Sequence, residues 1–106
     1  MNLIFAPHKI DYKSPQYQDV EKAMITLGAP TIRVIDCVDY YGAIEGSHRL
    51  AAAEALGLVP YVQIMNEDDI VEHDLQDLQS PCAVRDIANY LTFDQACYNY
   101  RKINVI

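Results

Sequence analysis

Apolar residues along this chain recur at two spacings, and a set of secondary-structure elements follows from them. Leu3-Ile4-Phe5 is a short apolar run ended by Ala6-Pro7, which reads as a first strand at a sheet edge. Residues 8–14 form a polar loop with two lysines, Lys9 and Lys13. Ser14-Pro15 then has the form of a helix cap followed by proline at the first helical position. From Pro15 to Leu27 the apolar residues Val20, Ala23, Met24 and Leu27 fall at helical intervals and predict one buried stripe. Gly28 stops that helix and Pro30 prevents its resumption. Residues 31–38 are rich in β-branched side chains and predict a half-buried strand. Residues 39–42 predict a reversal, with Tyr41 to Glu45 returning as the second strand of a hairpin.

Gly46 opens the next helix, which Leu50, Ala51, Ala52, Ala53, Ala55 and Leu56 favour strongly, and Gly57 closes it. Residues 60–65 predict another strand. Residues 67–77 hold six acids, read as a solvated face or a helix start rather than a metal site, and the lack of a central glycine excludes a calcium loop. Ser80-Pro81 predicts a second capped start, with Val84, Ile87, Ala88 and Leu91 on one face of a helix running to about Leu91. Asp94 to Arg101 reads as a short helix, and residues 103–106 as a terminal strand or a frayed tail.

Composition narrows the classes of function. A chain of 106 residues that is 51% hydrophobic supports one folded domain with one core. Fifteen acids against eight bases give a net charge of −7, which opposes a general nucleic-acid surface and confines any anion site to a local patch. Cys37, Cys82 and Cys97 are odd in number and form no C-x-x-C pair, so neither a zinc ribbon nor a disulfide framework is expected. Three free thiols fit a reducing cytoplasm. Residues 1–7 lack the basic region of a signal peptide, and no apolar run approaches the ~18 residues of a membrane span.

The candidate chemistry lies at residues 45–49, Glu45-Gly46-Ser47-His48-Arg49, where a strand passes into a helix with almost no loop. The first N–H groups of a helix have no internal acceptor, and the helix dipole adds roughly half a positive charge there. Such a corner binds anions, phosphate above all. Gly46 lets a phosphate approach the backbone, Ser47 adds a hydroxyl, and His48 and Arg49 add donors. Arginine in a first turn opposes the dipole, which itself suggests an anion to offset it. Glu45 would repel a phosphate unless something intervenes. It reads as an organiser of Mg²⁺, as a general base with His48 as a catalytic partner, or as a structural partner of Arg49 or Arg33. Lys9 and Lys13 are candidates to close over the phosphates.

The run Glu45-Gly46-Ser47-His48-Arg49-Leu50-Ala51-Ala52-Ala53, followed by Gly57 and Pro60-Tyr61-Val62, resembles the ParB/sulfiredoxin superfamily. The preceding helix, Gly28-Ala29-Pro30 and the next strand also fall in that family's order, so the resemblance covers about residues 1–66. It implies an α/β fold, a mixed sheet with flanking helices, forming a single domain over 1–106 with the motif-bearing core at 1–66 and a helical extension at 67–106. It also implies that Gly46, Ser47, His48 and Arg49 hold the phosphates of ATP or CTP with Mg²⁺. Sulfiredoxins carry their catalytic cysteine where this chain has Ser47, which argues against sulfinic-acid repair. ParB partition proteins have Arg-Arg at the positions of His48-Arg49, and a helix-turn-helix after this domain. Ala83 to Leu91 and Asp94 to Tyr98 only partly match such a reader, with no glycine in the turn and few bases, so direct DNA binding is not expected. Tyr90, Tyr98 and Tyr100 suit a protein partner or a homodimer contact. Phosphoryl transfer or nucleotide hydrolysis, a non-catalytic module controlled by nucleotide, and a ParB-like nuclease remain as functional readings, the last opposed by the acidic charge.

Overall fold

A computed structural model describes residues 2–93 and 95–106. Strand β1 (Asn2–Ala6) leads through the polar loop to helix α1 (Pro15–Leu27). Then follow β2 (Thr31–Asp36), β3 (Tyr41–Ala43), α2 (Ser47–Ala55) and β4 (Tyr61–Ile64). The remainder comprises β5 (Ile70–Val71), β6 (Cys82–Ala83), α3 (Val84–Tyr90), β7 (Ala96–Tyr100) and β8 (Asn104–Val105). Among the described residues the main sheet has six strands in the order β7-β1-β3-β2-β4-β8, and β5 pairs with β6 in a ladder of its own. Parallel pairs (β1 with β3, β2 with β4, β4 with β8) mix with antiparallel ones (β1 with β7, β2 with β3), so the fold is α/β with a mixed sheet.

The main core lies between the sheet and two helices. Ile4, Ala6, Ile32, Val34, Ala43 and Val62 meet Tyr17 and Met24 of α1 and Leu50 to Ala53 of α2. Ala51, Ala52 and Ala53 are each at most 1% exposed, because α2 is wedged between the sheet and α1 and only small side chains fit there. A smaller cluster joins Ile44, Val71, Val84 and Ile87 beside it.

The local signals around α1 hold. Ser14 Oγ accepts the Tyr17 N–H, Pro15 begins the helix, and Gly28 at φ +81° donates its N–H to Met24 O. The buried stripe is shifted from the expected one: Tyr17 and Met24 are buried, Val20 is half-buried, and Ala23 and Leu27 are exposed, Leu27 by 81%. A phenol replaces leucine in the stripe because the Tyr17 hydroxyl can reach Glu21 Oε2, 2.6 Å away, to which it donates.

Four other expectations give way. β1 is interior, since β7 covers the edge that the sequence left open. The helix expected at 94–101 is strand over 96–100: Tyr98 and Tyr100 point into the core, Cys97 and Asn99 out, a period of two. Asp94, where that helix was to begin, lies outside the described residues. Tyr98 and Tyr100 are therefore core residues rather than contact residues, and among the described residues no second helix follows α3 to make a helix-turn-helix. The helix expected from Ser80-Pro81 starts at Val84, because Cys82-Ala83 pairs with Ile70-Val71 first. Ser80 caps no helix; its Oγ accepts the His73 N–H. The first donors of α3 go to the acidic segment instead, Val84 N–H to Asp69 O and Arg85 N–H to Glu67 O. Residues 67–106 are thus no helical extension: those described there hold one helix and supply both outer strands of the main sheet.

Candidate functional site

β1 and β3 are parallel neighbours, so their carboxyl ends lie side by side. β2, antiparallel to β3, begins at the same end. Ligand crevices of open α/β sheets lie outside the carboxyl ends of parallel strands. Here a cavity of about 900 Å³ opens at that end, a volume suited to a small molecule. Pro7 and His8 reach it from β1, residues 44–49 from β3 and α2, and Glu72 to Leu75 from the loop after β5.

At the start of α2, Gly46 has φ +83° and ψ 28°, a left-handed conformation that favours glycine. A Cβ at Gly46 would lie 2.8 Å from Ile32 Cδ1 and 3.2 Å from Arg49 Nη2. The glycine therefore answers first to the turn and to packing against β2, a reason additional to phosphate access. No side chain caps the helix, and the first main-chain donor with a helical acceptor is Leu50 N–H, bonded to Gly46 O. The donors of Ser47, His48 and Arg49 precede it and have no acceptor within the helix. Ser47 is 2% exposed and its Oγ is buried without a hydrogen-bond partner among the described residues. An unpaired buried hydroxyl costs about 1–3 kcal/mol. Few such groups occur in native proteins, and a ligand oxygen is one explanation for this one.

Glu45 sits between two arginines. Its Oε2 accepts from Arg33 Nη2 at 2.9 Å and its Oε1 from Arg49 Nη2 at 3.1 Å. Burial pushes its carboxyl up, but the hydrogen bonds and charges of Arg33 and Arg49 outweigh this and hold it below the usual carboxylate range. Arg49 also donates from Nη1 to Thr31 O at 2.9 Å, which ties α2 to the start of β2. The arginine at the dipole's wrong end thus has a carboxylate and a carbonyl to offset it.

His48, in the first turn, faces the imidazole of His8 with ring centroids 5.8 Å apart and planes at 60°. Partial burial, then the charge of His48, lowers the pKa of His8. His8 is a site residue that local sequence reading misses, since it sits in an unremarkable polar loop. The signal was the step from β1 into Ala6-Pro7, read together with the parallel pairing that only the fold supplies. Lys9 and Lys13 are exposed on the same loop and are not among the residues lining the cavity. Glu72 and Asp74 do line it. His73, between them, is occupied: its Nδ1 accepts the Leu75 N–H at 3.0 Å and its Nε2 lies 2.7 Å from Gln79 O. Among the described residues no group of His, Cys, Asp or Glu is arranged to hold a metal ion, and the three cysteines are free thiols.

No family model matches the chain, and no curated protein and no solved structure matches it either.

Proposed function

We propose that this chain is a nucleotide-phosphate-binding domain of ParB/sulfiredoxin type, taking ATP or CTP with Mg²⁺ in the cavity at the start of α2. One observation carries the reading: the buried, partnerless Ser47 Oγ beside the open N–H groups of α2, in the wall of a cavity of nucleotide size. A phosphate there would accept from the main chain of residues 47–49 and from Ser47, with His48 alongside. Arg49 would contribute by turning from Thr31 O or Glu45 toward the phosphates. The Mg²⁺ would arrive on the phosphates, since both oxygens of Glu45 are already engaged.

The non-catalytic form of this proposal is favoured over phosphoryl transfer. A carboxylate clamped by two guanidinium groups is a weak proton acceptor, so Glu45 serves better as a brace between β2 and α2 than as a base. Nucleotide occupancy would then control a partner protein or a dimer. No helix among the described residues is long and apolar enough to cross a membrane, which is compatible with a site of action in the cytoplasm.

A thermal-shift panel of ATP, CTP and GTP, each with and without Mg²⁺, tests the proposal. Ligand at a hundredfold excess over Kd should add about 2.7 kcal/mol of stability. No shift with any nucleotide, nor with sulfate or phosphate, overturns the site. Nucleotide turnover that disappears in Glu45→Gln while binding persists would restore the catalytic reading.

A further inference from the structure

We propose that His8 is a second imidazole arm of this site, and that together with His48 it selects a dianionic terminal phosphoryl group over a phosphodiester. The inference rests on the anion reading of the α2 corner. His8 and His48 come from separate elements, the loop after β1 and the first turn of α2, and meet because β1 and β3 run parallel as neighbours. Both rings line the cavity that contains Ser47, and neither makes a hydrogen bond to a described residue.

The other charges around the cavity fix their role. Arg33 and Arg49 are committed to Glu45. Glu72 and Asp74, on the loop after β5, oppose any anion, and His73 beside them has both ring nitrogens occupied. Tyr90 of α3 carries no charge in its phenol form. The positive charge free to meet a ligand without Arg49 turning from its present partners is therefore the α2 N-terminus and whatever the two imidazoles carry. Two imidazolium rings at this separation repel each other, and the pKa of His8 is lowered by burial and by His48. A dianion held against both rings on their cavity side offsets that repulsion, and its binding draws in protons. A diester carries one charge and compensates only half as well. By linkage, affinity for a dianion rises as pH falls through the histidine range.

The test is a proton-NMR titration of the imidazole resonances of the intact chain, from pH 5.5 to 8.5. It uses sodium sulfate, which stays dianionic throughout, against sodium chloride at equal ionic strength. Sulfate should move the midpoints of His8 and His48 to higher pH by about one unit each, equivalent to a roughly tenfold gain in affinity per imidazolium formed, and leave His73 nearly unmoved. Dimethyl phosphate should leave all three near their chloride values. His8→Gln should roughly halve the displacement at His48, and His8→Asn should match it, with unchanged far-UV circular dichroism showing that the exposed loop tolerates both. Sulfate that displaces His48 but not His8, or a His48 response unaltered in both His8 variants, overturns the role of His8 while the corner stands. Equal displacement by dimethyl phosphate overturns the charge selectivity. No displacement by sulfate, with no thermal shift by any nucleotide, overturns the corner and this inference with it.

Discussion

Ser47 is asked for opposite things by stability and by binding. Its hydroxyl is buried without a partner, so removing it should not harm the empty fold. Ser47→Ala is expected to leave the unliganded melting temperature unchanged or raise it, by up to about 1 kcal/mol of stability, while reducing any nucleotide-induced shift; paired thermal scans check both. Loss of stability in the empty form would make the hydroxyl structural. Glu45 gives a second residue-scale prediction. Its folded pKa is depressed, so its contribution is present above the unfolded value of about 4.3 and is lost as pH falls through the folded value. Glu45→Gln should therefore flatten the acid limb of stability against pH, by about 1 kcal/mol or less because the side chains are partly exposed, as urea midpoints at pH 3 to 7 would show. Chemical character was legible at this scale. The anion corner and the two arginine partners of Glu45 were open to reading from residue types and spacing. The true constraint on Gly46 was not, because Ile32 reaches it only across the β2–β3 hairpin.

Elements with strong local punctuation were legible too. Ser14, Pro15, Gly28, Gly46 and Gly57 mark the bounds of α1 and α2 because caps and left-handed stops are decided within a few residues. β7 was not, because Ala96 to Tyr100 has little β-branched character and its partner is residues 2–6, far away in sequence. The start of α3 failed for the same reason, since Cys82-Ala83 was claimed by β5. The tip of the β2–β3 hairpin carries an element-scale prediction. Val38 has φ +74°, unfavourable for a β-branched residue, and is 92% exposed, so its side chain contributes little packing in return. Asp39 N–H bonds Cys37 O across it, which sets the tight reversal. Val38→Gly should stabilise the fold by about 1 kcal/mol, measurable in the urea midpoint. A loss of stability would mean that the apolar tip is packed in solution.

Across the whole molecule, three of the eight tyrosines report on the core. Burial raises the phenol pKa of Tyr17, Tyr98 and Tyr100, with Glu21 adding to the effect at Tyr17 and Glu54 at the other two. These phenols stay protonated in the fold and ionise near 10 once unfolded. Their contribution is complete below pH 10 and is lost as pH rises above it. Absorbance at 295 nm should show these three phenols ionising only with loss of far-UV circular dichroism. Their ionisation while the far-UV spectrum persists would place them outside a packed core. The sheet order explains why the overall class was readable while the connections were not: hydrophobic patterning marks a face but carries no record of its distant neighbour. That order also governs how the chain folds. Residues 2–6 find their antiparallel partner only in residues 96–100, where Asn2 opposes Tyr100, so residues 7–95 must be in place before β1 is flanked on both sides. Such pairing closes a very large loop, the feature that slows folding most. During synthesis, β1 and the His8 loop that follows it would stay open on one side until residues 96–100 have emerged, so the His8 wall of the cavity would be completed after the α2 corner that faces it.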